Sequence, residues 1–189
     1  MGRLYARHPD PWRHLSSVYE RAKHSRTLAA AGHGPFRFAL EVGCGNGALA
    51  RRLAPRCNSL LALDAEPLAL AHARRRLAGH PGARAREGTV PAALPDEAPD
   101  LIVLSEVLYY LEPTDLAALA AWCRARAGGV RRIVAVSWLG PTRTPLGGAA
   151  ALGRFRAGLE RWAVRERRLP GYVIAVFQPP SVPRRRRRG

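Results

Sequence analysis

The sequence predicts an α/β domain: a mostly parallel seven-stranded sheet with helices on both faces and an antiparallel hairpin at its C-terminal end. Three observations carry that expectation. An apolar run over residues 36–40 leads through Glu41 to Gly43, Gly45 and Gly47, and then at once into a helix-forming segment. That is the strand–turn–helix order of a nucleotide-binding unit. A second apolar run, residues 59–63, ends in Asp64, seventeen positions after Gly47. Residues 100–105 (DLIVLS) form a continuous apolar run, suited to a parallel strand buried on both faces.

The remaining elements fall between these. Before the first strand, Asp10-Pro11-Trp12 reads as a turn, because the residue before a proline is pushed away from helix. Residues 16–31 read as a helix that Ser16 or Ser17 can cap, with Val18, Ala22, Ser25 and Leu28 on one face and Gly32 and Gly34 ending it. Residues 48–56 follow the glycine turn as helix. Residues 67–77 form the next, with Pro67 in the first turn, Leu68, Ala71 and Leu77 on an apolar stripe, and Gly79 beyond the end. Residues 83–87 make a short, arginine-studded third strand. Pro113 opens a helix reaching about residue 127, residues 132–137 make the fifth strand, and 149–159 another helix. Residues 162–168 and 172–178 alternate as a terminal antiparallel pair around Pro170-Gly171. The organisation expected is a helical lid segment at 1–35, one domain at 36–178 and a solvated Pro/Arg-rich tail at 179–189.

Composition excludes several classes. The chain has 189 residues, enough for one α/β domain, and no apolar run near the ~20 residues of a membrane span. Its first residues lack the apolar middle of a signal peptide, and Ala6 stands where a myristoylation signal would want Ser or Thr. Cys44, Cys57 and Cys123 are odd in number and widely spaced, which suits reduced thiols and offers no zinc spacing. A cytoplasmic protein with no metal is expected. The net charge of +17 prompts a nucleic-acid reading, but Lys23 is the only lysine among 31 basic residues. Arginine without lysine, beside abundant Ala, Gly and Pro, points to a bias across the whole sequence, and outside Arg184–Arg188 the charges are scattered.

The glycine spacing narrows the ligand. The pattern E-x-G-x-G-x-G departs from the dinucleotide fingerprint, since Ala48 stands at its third glycine. Glu41 would repel a pyrophosphate and attract a cationic ligand tail. Asp64, at the tip of the second strand, suits a pair of ribose hydroxyls; the plainer reading is a helix cap, which Glu66 can supply instead. A flat ligand with a zwitterionic tail also needs an aromatic face and a cation. Trp12, Tyr19 and Lys23 supply these types from the lid segment, where the plainer reading is an amphipathic helix packed on the sheet.

Motif by motif, the chain resembles the class I S-adenosylmethionine (SAM)-dependent methyltransferases. Over residues 10–111 it looks like their nodulation protein S branch, through DPW, YERAKH, LEVGCGNGALARRLAPRC, LLALDAEPLALAHARRRLAG and PDLIVLSEVLYYL. The resemblance implies a Rossmann-like fold, SAM as cofactor and methyl transfer to a small-molecule amine, in that branch the amine of an amino sugar or oligosaccharide. It assigns Glu41, Gly43, Gly45 and Gly47 to the methionyl part of SAM and Asp64 to the ribose, with Cys44, Ala65, Gly88, Thr89 and Val90 completing the cofactor set. Ser105, Glu106 and Val107 would line the cofactor–substrate junction. Glu106 is the candidate to orient an ammonium and take its proton, and Tyr109 or Tyr110 to touch the acceptor; the plainer readings are a helix-start acid and two half-buried aromatics. The chain departs from the pattern twice. Thr89, or the nearby Glu87, stands where relatives carry an acid for adenine, and Ser137-Trp138 where they carry His-Trp. Two alternatives stay open: a nucleic-acid methyltransferase, although no Asn/Asp-Pro-Pro-aromatic motif follows the fourth strand, and a SAM-binding partner without catalysis.

Overall fold

The computed structural model describes Tyr5, His8 and residues 10–180; the Arg184–Arg188 run lies outside the described residues. Seven strands form one sheet in the order β3-β2-β1-β4-β5-β7-β6. They are β1 (Phe36–Val42), β2 (Cys57–Asp64), β3 (Ala83–Glu87), β4 (Leu101–Ser105), β5 (Arg132–Trp138), β6 (Ala163–Leu169) and β7 (Tyr172–Gln178). The first five pair in parallel, and β7 runs antiparallel to both β5 and β6.

The sheet separates two apolar layers, and strand alternation shows how. In β4, Ile102 and Leu104 join one layer with Leu40, Leu61, Ile133, Leu119 and Phe155. Leu101 and Val103 join the other with Ala39, Leu60, Val134, Leu49 and Leu70. A strand covered on both sides has no polar face to alternate with, which is why its sequence is uniformly apolar. The first layer lies under α4 (Pro113–Ala125) and α5 (Gly148–Ala157). The second lies under α1 (Val18–Ala31), α2 (Ala48–Leu53) and α3 (Pro67–Leu77).

Two helix faces differ from expectation. In α3 the buried stripe is Ala69, Leu70, Ala73 and Leu77, while Leu68 is 45% exposed. Glu66 caps that helix by accepting from the Leu68 amide, and Leu68 sits in the exposed first turn. In α1, Val18 is 73% exposed and the covered face is Glu20, Lys23, His24, Thr27, Leu28 and Ala31. A helix that borders a polar cavity buries side chains that pair with one another, so its hidden face need not be apolar.

The ends of α1 are fixed differently. Ser17 is the N-cap, its Oγ accepting from the Glu20 amide at 3.4 Å. At the C-terminal end, Arg132 Nη1 donates to the Ala30 and Ala31 carbonyls, and Arg56 Nη1 to those of Leu28 and Gly32. Two guanidinium groups thus satisfy carbonyls left orphaned by the last turn and favour its negative dipole end.

Candidate functional site

The carboxyl ends of β1, β2 and β4 meet where the strand order reverses, between β1 and β4, and a cavity of about 1050 Å³ opens there. This is where open α/β sheets hold their ligands. A smaller concavity of about 480 Å³, among Arg124, Arg161 and Trp162, lies away from the strand tips.

The floor is the turn after β1. Gly43 and Cys44 donate their amides to the Leu63 carbonyl, and Gly47 donates to that of Cys44. Gly43 sits at φ 74°, and a Cβ there would meet Val107 at 2.6 Å, so both backbone sign and space require glycine. At Gly47 (φ 79°) a Cβ would meet the Ala73 Cα at 2.8 Å, so that glycine serves the packing of α2 on α3. Asp64 accepts from the Gly45 amide at 2.7 Å and the Glu66 amide at 2.9 Å, tying the turn to the tip of β2. Burial raises its carboxyl against the pull of those amides.

Glu41 is 2% exposed. Among the described residues its Oε2 and Ser137 Oγ are the only fully buried side-chain oxygens or nitrogens without a hydrogen-bond partner. Burial first, and then the nearby Asp64, push the Glu41 carboxyl up to about 8. A buried unpaired carboxyl on a cavity floor suits a cationic ligand group, since both raising causes would be offset by its charge.

The opposite wall comes from α1 and the turn before it. Lys23 Nζ bridges Glu20 Oε1 at 3.0 Å and Glu106 Oε1 at 2.8 Å. Glu106 Oε2 accepts from the Tyr109 hydroxyl and from the Trp138 amide, both at 2.8 Å. Three donors on one carboxylate leave about one of its four lone-pair directions free. Glu106 itself sits at φ 57°, a left-handed conformation for a residue with a side chain, held by this network and by its amide's bond to the Val136 carbonyl. Burial would raise the Glu20 carboxyl, but the His14 hydrogen bond and Lys23 outweigh it and hold it at about 2. Burial works against the Lys23 ammonium, and Glu106 and Glu20 overcome it to raise its pKa. Tyr109 is raised by burial and by Glu106.

Of the residues singled out by sequence, the cavity wall contains Trp12, Lys23, Glu41, Gly43, Cys44, Gly45, Asp64, Ala65, Gly88, Thr89, Val90, Ser105, Glu106, Val107, Tyr109 and Tyr110. Tyr19 and Gly47 stand outside it. The Tyr19 hydroxyl donates to the Pro170 carbonyl and its ring packs edge-on to Tyr172, joining α1 to the terminal hairpin. Of the two groups offered for adenine, Thr89 lines the wall and Glu87 does not. Ser137 lies fully buried outside the wall, and its neighbour Trp138 is in it. Sequence reading missed Tyr5, His14, His24, Asn46 and the segment 141–145. Asp10 had a detectable signal in its turn: its carboxylate accepts from the His14 and Leu15 amides and from Asn46 Nδ2, fastening the turn to the glycine loop.

Sheet order, glycine turn and paired strand-tip acids define a Rossmann-like domain of the class I methyltransferase type. The chain belongs to the nodulation protein S (NodS) family, whose model matches residues 4–124. It is 40% identical over 111 residues to nodulation protein S of Sinorhizobium fredii, covering 58% of this chain and 50% of that protein. The match to nodulation protein S of Rhizobium tropici is 40% over 103 residues, covering 54% and 43%. The chain therefore spans about half the length of the curated relatives it matches. Among solved structures, a Pseudomonas syringae protein proposed to be a methyltransferase is 30% identical, with TM-score 0.72 over 86% of this chain and 99% of that one. The N-methyltransferase NodS of Bradyrhizobium japonicum WM9, in complex with S-adenosyl-L-homocysteine, shares the fold with TM-score 0.77 at 24% identity, over 95% and 98% of the two chains. Among the described residues, no helix is long and apolar enough to cross a membrane.

Proposed function

We propose that this chain transfers a methyl group from SAM to the amine of a small acceptor, and that the acceptor is an amino sugar or the amino end of an oligosaccharide. One observation carries the reading. In a chain of net charge +17, the cavity wall holds six carboxyl groups (Glu20, Glu41, Asp64, Glu66, Glu106 and Asp115) against Lys23 and Arg143. A basic protein with an acidic cavity is built for cationic ligands, which a sulfonium, an α-ammonium and an amine acceptor all are. The same charge disfavours a phosphate backbone in the cavity, so the nucleic-acid reading loses its support here.

The residues fit SAM. Glu41 has an oxygen to offer its ammonium, the turn at Gly43–Gly45 lets backbone lie against the methionyl chain, and Asp64 stands at the strand tip for the ribose. Thr89 and Val90 border the adenine end. Bound SAM supplies an activated methyl on a sulfonium leaving group, so the protein's contribution is chiefly positioning. Glu106, fixed by Lys23, Tyr109 and the Trp138 amide, orients the acceptor ammonium by its remaining lone pair and takes its proton, so that a neutral amine faces the methyl. Tyr110, 41% exposed and tilted against Tyr109 at 4.8 Å between ring centres, and Trp138 offer flat faces to a sugar ring. The name N-methyltransferase borne by the Bradyrhizobium japonicum neighbour supports a nitrogen acceptor.

Calorimetry with SAM and S-adenosylhomocysteine on wild type and Asp64→Ala tests the first half; a loss of about tenfold or more, some 1.4 kcal/mol, is expected. Labelled methyl transfer to a deacetylated chito-oligosaccharide tests the second. Binding without turnover on any amine would make the chain a SAM-binding partner, and no binding by folded protein would remove the reading altogether.

A further inference from the structure

One cluster in the α1 wall has, apart from Glu20's hold on Lys23, no step of its own in methyl transfer. His14 Nδ1 donates to Glu20 Oε2 at 3.0 Å, and the ligand atoms of His14, Glu20 and His24 all lie within 4.8 Å of one another. All three side chains border the cavity. His24 is 5% exposed, borders the cavity and stacks its ring on that of His14 at 5.6 Å between centres.

We propose that His14, Glu20 and His24 form a binding site for a divalent transition-metal ion of the zinc type. Two imidazoles and one carboxylate are the donor set that borderline ions prefer, with further positions left for water or an exogenous ligand on the cavity side. The chain places the donors by two devices. Glu20 and His24 are four apart in α1, so helix geometry brings them to one face. His14 comes from the preceding turn, fixed by the Asp10 carboxylate on its amide at 2.8 Å. An outer shell is in place as well: Lys23 holds the second Glu20 oxygen, leaving the first to face the imidazoles. Donors about 2.1 Å from one ion stand roughly 3.0–3.4 Å apart, so the His14–Glu20 edge already fits and His24 closes by side-chain rotation of about 1 Å or somewhat more. An ion held this way ties the turn to α1 and stiffens the lid.

The site is independent of the methyltransferase reading, and so is its test. Tag-free, chelator-treated protein is titrated with Co²⁺ and Zn²⁺, followed by calorimetry, by the visible absorption of bound Co²⁺ and by the shift in melting temperature. The expected result is one saturable equivalent and a rise in melting temperature. Affinity should fall by more than about tenfold in His14→Gln and in His24→Gln, and stay unchanged in His72→Gln on the exposed side of α3. Circular dichroism confirms each variant's fold. If His24→Gln does not fold, Glu20→Gln serves, because it keeps the side chain's shape while removing the anionic ligand. Absence of saturable binding by the wild type overturns the proposal. So does binding that survives both histidine substitutions, or that is lost in Cys44→Ser or His72→Gln.

Discussion

The floor of the cavity and the wall supplied by α1 both carry buried carboxyl groups, but they treat them differently. On the α1 side, Glu20 and Glu106 share Lys23 and take further donors from His14, Tyr109 and the Trp138 amide. On the floor, Glu41 keeps an oxygen without any partner. The paired wall is complete without a ligand and contributes rigidity. The unpaired floor is costly to the ligand-free fold and gains from an incoming cation. The two sides therefore make opposite predictions: substitutions in the paired wall should cost stability, and substitutions of Glu41 should cost ligand binding more than stability.

The contrast breaks most visibly at Lys23. Lys23→Met removes the cation shared by two carboxylates that are 11% and 16% exposed, and is expected to cost about 3 kcal/mol in urea unfolding. Next comes the floor itself. Gly43→Ala places a side chain at φ 74° against Val107 and is expected to cost about 2 kcal/mol, with SAM binding weakened in parallel.

Glu41 sharpens the comparison through pH. Its folded-state pKa is raised, to about 8 from 4.5, so the ligand-free fold binds its proton more tightly than the unfolded chain does. That contribution is full below about pH 4.5 and is lost as pH rises through about 8. A cation beside Glu41 favours the ionised form. SAM binding near pH 7 should therefore release protons, visible as a buffer-dependent calorimetric enthalpy, and strengthen as pH rises toward 8. Glu41→Gln should abolish the proton release; a buffer-independent enthalpy in the wild type would show that Glu41 does not meet the cation.

The smallest effect belongs to Ser137. Its buried hydroxyl has no partner, so Ser137→Ala is expected to raise stability by up to about 1 kcal/mol, read as a small increase in melting temperature.

The sheet was largely legible from sequence because its signals are local. Residues 83–87, an arginine-rich stretch with little apolar pattern, are β3 as expected, since Asp64 and Glu87 bring parallel β2 and β3 to a common end. The glycine turn and Asp64 were readable from spacing alone. The α1 wall was not. A periodicity rule selected the face Val18, Ala22, Ser25 and Leu28, of which only Leu28 is buried, whereas Glu20, Lys23 and His24 are hidden because they pair across to Glu106 and His14, contacts of which one spans 83 positions. Nor can sequence show that Tyr19 turns toward Pro170, 151 positions away, and not into the cavity.

The two arginines at the end of α1 bear on which end of that helix opens first. Arg56 and Arg132 anchor one end of the helix to the sheet through four backbone carbonyls, whereas side-chain hydrogen bonds through Asp10, Ser17 and Glu20 hold the other. Fourteen residues of helix span about 21 Å. Fraying is therefore expected to begin at the Ser17 end, read as faster amide hydrogen exchange there than near Gly32.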